Sequence, residues 1–167
     1  MNKAMTRRKP KPKPFRPGHS LLDVMLASPT QPMPAAKVLY ALDVMWEGIN
    51  AMQHAATPHK NHWNACTDAA NLVETLIVQG HVQDPGGSLK LGIDALANAA
   101  KRKHAGGTIR LDGPGIIAVR GLIEDYAVFL KHLSERTIIA AHRATEQRII
   151  AIRRGQRHKH DIQILLL

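Results

Sequence analysis

A chain of 167 residues with 44% apolar and only 4% aromatic side chains fits one domain that buries about two-thirds of its extended surface, in a core of Ala, Leu, Ile and Val. Its one cysteine, Cys66, excludes an intrachain disulfide and points to a reducing, cytoplasmic setting, and no apolar run approaches the roughly 18 residues of a membrane span. The net charge of +10 lies in the two ends, because residues 37–142 hold ten Lys/Arg and ten Asp/Glu, which argues against a basic catalytic groove in the middle of the chain.

Residues 1–17 carry Lys3, Arg7, Arg8, Lys9, Lys11, Lys13 and Arg16, no acid, and Pro10, Pro12, Pro14 and Pro17. The prolines remove backbone donors and favour extended conformations, and with Phe15 as the one aromatic there is too little apolar surface to offset ordering entropy. The composition predicts a disordered basic arm, and a Pro-rich sequence in place of an apolar segment argues against a secretory signal. Ser20-Leu21-Leu22-Asp23 then begins a capping box, so a short helix to about Ala27 is expected, ended by Ser28 to Pro34.

From Pro34 to Ala56 the apolar positions Val38, Leu42, Met45, Ile49 and Met52 step by four and three, with Leu39 and Trp46 widening a core-facing stripe. Thr57-Pro58 reads as an N-cap and first helical position for a helix to Gln79, stopped by Gly80, with Trp63, Cys66, Ala70, Val73 and Ile77 inward. After the Asp84-Pro85-Gly86-Gly87 turn, a helix over Ser88–His104 buries Leu89, Ile93, Leu96 and Ala100, places Lys101, Arg102 and Lys103 in its last turn, and closes at Gly106-Gly107.

The chain is organised around Thr108 to Arg120, TIRLDGPGIIAVR, where an extended lead-in reaches Asp112-Gly113-Pro114-Gly115 and opens the most strongly patterned helix. Shorter helices are expected before this point and one long helical arm after it. Ile116, Val119, Leu122 or Ile123, Tyr126, Phe129 or Leu130, and Leu133 mark the buried stripe. Ser134-Glu135-Arg136-Thr137 kinks the arm or splits it in two, the second part running to about Arg154 with Gly155 as its stop. The chain closes on a basic then apolar tail, residues 156–167, whose Ile162 to Leu167 would be poorly solvated unless docked. The predicted organisation is therefore a basic arm over 1–17, an all-α domain of five or six helices over 18–155, and the tail.

With Gly92-Ile93-Asp94-Ala95-Leu96, Leu111-Asp112-Gly113-Pro114 and the helix after it, the chain resembles small uncharacterised proteins of proteobacterial prophages and mobile elements. Shared features are a basic, Pro-containing N-terminus, a GxDAL helix and a Gly-Pro helix start, spanning Arg16 to Ile152. The resemblance implies no known activity and carries over no functional residue. This chain departs from the pattern in its long middle loops and apolar tail.

No pattern in the sequence carries catalysis. His59, His62 and Cys66 fall at i, i+3 and i+7, within about 60° on one helical face, and are zinc-binding types, but a structural site needs a fourth ligand that no spacing supplies. The reading is core packing and a solvated helix start, with no metal and no cofactor. Cys66 beside His62 lacks the setting of a nucleophile, and the adjacent Glu124 and Asp125 diverge by about 100° on a helix. Asp112-Gly113-Pro114-Gly115 resembles a phosphate cradle, yet no Gly-Lys-Ser/Thr follows and Pro114 removes a donor, so helix initiation is the better account.

The functional signal is the charged ends. Seven arm cations attract polyphosphate by releasing counterions, and Arg153, Arg154, Arg157 and Lys159 add a second patch, joined by His158 and His160 as pH falls. The sequence thus predicts a non-enzymatic protein that contacts nucleic acid non-specifically through both termini. The alternative is a protein-interaction module acting on a host or phage partner through an apolar helix face or the C-terminal tail.

Overall fold

The computed structural model describes residues 18–156 except residue 85, and all regular structure within them is helical. The helices are α1 Leu21–Leu26, α2 Ala35–His54, α3 Lys60–Val78, α4 Ser88–His104, α5 Gly113–His132 and α6 Glu135–Arg153. An isolated antiparallel bridge joins Pro32 to Ser134. The all-α expectation of five or six helices holds.

Local chemistry sets most boundaries where the sequence signals them. Ser20 and Asp23 form the α1 capping box, Asp112 accepts from the Gly115 amide at the start of α5, and Ser134 accepts from the Thr137 amide at the start of α6. The expected stops Gly80, Gly106 and Gly155 all take positive φ, which releases the chain from the helix without a Cβ penalty. Two expectations change. The N-cap of α3 is His59, whose Nδ1 accepts from the Asn61 amide, while Nδ1 of His62 accepts from the His59 amide. The pair satisfies the orphan donors two residues later than Thr57-Pro58 would. The stretch after Gly113 takes the split alternative at Leu133-Ser134, and the helices before it are not shorter, since α2 and α3, with 20 and 19 residues, are as long as α5 and α6.

Four helices form an up-down-up-down bundle. Gly48 of α2 meets the His62 carbonyl of α3, Gly92 of α4 meets Leu122 of α5, and the Leu111 amide, just before α5, donates to the Met52 carbonyl near the end of α2. Centrally placed α3 buries eleven positions, Trp63 through Leu76, against α2, α4, α5 and α6. The inward stripes of α2, α4 and α5 are largely as predicted, with Leu42 and Trp46 packed at the rim. Leu39 is a correction: it is 62% exposed, because it borders an open trough shared with Met33, Leu42 and Lys131 instead of the packed core. Helix α6 lies outside the bundle on α3, where the Thr75 and Thr145 hydroxyls pair at 2.6 Å and buried Glu74 lies near the Arg148 guanidinium.

Candidate nucleic-acid interface

Of the predicted contact residues, Lys3, Arg7, Arg8, Lys9, Lys11, Lys13, Arg16, Arg157 and Lys159 lie outside the described residues, as do the tail Ile162 to Leu167 and the basic arm itself. Arg153 and Arg154 are described. Arg153 ends α6 and Arg154 caps it, both exposed, where cations suit the helix dipole.

The structure places Gly18, the residue that follows the predicted arm. Residues 18–34 form a strap across α6. The Gly18 amide donates to both carboxylate oxygens of Glu146 at 2.9 and 2.8 Å, and Arg143 donates to the His19 carbonyl at 3.0 Å. Further along, Arg136 donates to the carbonyls of Ala27 and Met25, the Glu135 amide donates to the Gln31 carbonyl, and Lys37 pairs with the Glu135 carboxylate at 2.9 Å. Glu146 precedes Arg153 by two helical turns, about 10 Å of rise. The two predicted basic segments therefore take root on the same half of α6.

A histidine pair sits at this root, with the rings of His19 and His142 centred 5.7 Å apart. Burial of the His142 ring, followed by the charge on His19, pushes its pKa from 6.5 down to about 4. The unfolded chain then takes up a proton at higher pH than the folded one. Stability linked to His142 is intact above about pH 7, falls as pH drops through 6.5, and stops falling below about 4, a loss of about 2 kcal/mol after allowing for partial exposure. Asp68 acts oppositely in the same window: it reaches solvent, yet burial around it and then Glu146 push its carboxyl up to about 6. The difference between wild type and His142→Gln in urea unfolding isolates the histidine. That difference is expected to change by about 2 kcal/mol between pH 7 and pH 4.5, and a constant difference would refute the assignment.

The remaining motifs resolve into structure. Cys66 is fully buried against Gly48, its thiol donates towards the Met45 carbonyl at 3.8 Å, and burial, followed by the Asp68 charge, pushes its pKa up to about 12. With His59 and His62 occupied as caps, the three side chains do not converge, and among the described residues no three His, Cys, Asp or Glu side chains are grouped as metal ligands. Asp112 to Gly115 is a capped helix start. Glu124 faces solvent while Asp125 accepts the Ser88 hydroxyl. Among the described residues no helix is long and apolar enough to cross a membrane.

One arrangement is hidden in the sequence. Six of the ten cations between residues 37 and 142 gather at the end of the bundle where α2 and α4 finish and α3 and α5 begin. Arg102 donates to the Arg110 carbonyl, Arg110 to the Gln53 carbonyl at 3.1 Å, and Arg120 to the Gln53 side-chain oxygen at 3.2 Å. The antiparallel hairpins bring together residues up to 67 apart in sequence. The Lys101-Arg102-Lys103 run before the Gly106-Gly107 stop is the part of it that a local pattern displays.

No protein-family model, no curated protein and no solved structure matches the chain.

Proposed function

We propose that the protein is a non-enzymatic accessory protein of a phage or mobile element that contacts nucleic acid non-specifically through its basic termini. The observation that carries this reading is the common root of both segments on α6, with Gly18 held by Glu146 two turns before Arg153 and Arg154. Cations delivered from both ends to one region can act on the same stretch of phosphate backbone, and counterion release then favours binding regardless of sequence. The mobile-element setting rests on the resemblance carried by the GxDAL helix and the Gly-Pro start.

A salt titration with a labelled duplex tests the reading on full-length protein and on residues 18–167. Full-length protein is expected to bind with micromolar or weaker affinity, and loss of seven arm cations to lower the log–log salt slope by up to about 6. Unchanged affinity of the shorter chain would sink it.

A second reading, a protein-interaction module, is favoured by exposed apolar surface. An open trough of about 520 Å³ is lined by Met33, Val38, Leu39 and Leu42, and α1 exposes Leu21, Leu22, Met25 and Leu26. A partner captured at high salt and lost on Leu39→Asp or on deletion of the tail would favour this module over nucleic acid.

A further inference from the structure

We propose that the end of the bundle built from the last turns of α2 and α4 and the first two turns of α5 is a second nucleic-acid contact, a rigid face for the phosphate backbone of a duplex. It rests on the reading that the protein binds nucleic acid, but not on the arm. Three observations carry it.

The first is charge segregation. Residues 48–66 and 98–120, which make up this end, hold Lys60, Lys101, Arg102, Lys103, Arg110 and Arg120 against Asp112 alone. At the opposite end cations meet carboxylates, as in Lys37 with Glu135 and Lys90 with Asp94 at 2.9 and 2.7 Å. The acids Glu47, Asp68, Asp94 and Glu124 fall beyond the patch along α2, α3, α4 and α5 and delimit it.

The second is preorganisation without neutralisation. The Arg102, Arg110 and Arg120 guanidiniums are tied to uncharged carbonyl and amide oxygens, two of them on Gln53. Each keeps further N–H donors for a ligand, and its ordering cost is already met within the fold. The Arg102–Asp112 pair, at 3.6 Å on the surface, offsets a single charge weakly.

The third selects the partner. Protein interfaces centre on apolar and aromatic anchors, whereas Ile117 is the large apolar side chain exposed here, among polar Asn50, His54, Asn98 and Thr108. Single strands are held chiefly on stacking Phe, Tyr and Trp rings, and the one such residue of this end, Trp63, is 1% exposed, which leaves the smaller imidazoles of His54, His59 and His104 at the surface. Cations on a polar surface with no exposed Phe, Tyr or Trp match a duplex backbone.

The test uses full-length chains carrying Lys101→Gln with Lys103→Gln, or Arg110→Gln with Arg120→Gln, and a third in which the seven arm cations become Gln. Each is titrated with a short labelled duplex across salt, with circular dichroism to verify the fold. The lysine pair is expected to lower the salt slope by about two and to weaken low-salt binding about tenfold, and the arm variant to keep a residual duplex affinity, which combining it with the lysine pair weakens about tenfold further. Should the arginine pair unfold, the lysine pair alone decides. Unchanged slopes in folded end variants, with binding lost in the arm variant, would overturn this inference and leave the terminal reading standing. Unchanged binding in the arm variant with loss in the end variants would do the reverse. Tighter binding to single strands, or equal competition by polyglutamate, would overturn the duplex assignment.

Discussion

Trp63→Ala is expected to destabilise the protein by about 3–5 kcal/mol, enough to unfold a domain of ordinary marginal stability at moderate temperature. The indole is 1% exposed in the first turn of α3, and its Nε1–H donates 2.9 Å to the Leu96 carbonyl in the middle of α4. Truncation leaves a cavity where two hairpins meet and removes a hydrogen bond between them. Trp63→Phe restores most of the buried area without the donor, so it should lose less than alanine does, with about 1 kcal/mol of its loss due to the hydrogen bond. Urea unfolding followed by far-UV circular dichroism measures both. An alanine variant within about 1 kcal/mol of wild type would mean that this end of the core is not closed around the indole.

Two glycine-to-alanine substitutions should move stability in opposite directions. A Cβ on Gly48 would sit 2.7 Å from the His62 carbonyl oxygen, a backbone atom that moves only if α2 and α3 separate. The expected loss is about 2–3 kcal/mol, larger than the gain of nearly 1 kcal/mol that alanine brings to a helix interior. Gly121 lies in α5 with nothing within 4 Å of the place an alanine methyl would take, so there the propensity gain acts alone and stability should rise by about 0.5–1 kcal/mol. A rise in the thermal midpoint of Gly48→Ala would contradict the close approach of α2 to α3, and a fall in that of Gly121→Ala would contradict the open space at Gly121.

Gly48 also separates what is legible in the sequence from what is not. The spans of α4 and α5 follow from signals a few residues long: Gly87 and Gly106 around the one, Asp112-Gly113-Pro114 before the other. The cap of α3 is not legible, because histidine is not an ordinary N-cap and its role depends on two rings accepting amides from each other's turn. Leu39 departs from its expected place because periodicity locates the centre of a buried stripe, while its width depends on which neighbours arrive. The charge layout differs from expectation for a similar reason. Ten cations and ten acids between residues 37 and 142 cancel as a sum, but folding sends Lys101, Arg102, Lys103, Arg110 and Arg120 to one end of the bundle. A sum along the chain carries no information about direction in space. The arm needs no fold to be noticed, yet its root on Glu146 is a contact across 128 positions that no local pattern announces.

The strap over residues 18–34 has a consequence for the order in which the molecule is made. It leaves the ribosome ahead of every helix of the bundle, yet its partners Arg136, Arg143 and Glu146 belong to the last described helix. Its bonds close loops of more than 100 residues, an entropic cost that falls only once the bundle has brought α6 into place. The strap is therefore the last part of the fold to close during synthesis. Held mostly by polar contacts, with Ala27 and Met33 its apolar anchors and no residue of α1 buried, it is also the first to open in the finished protein.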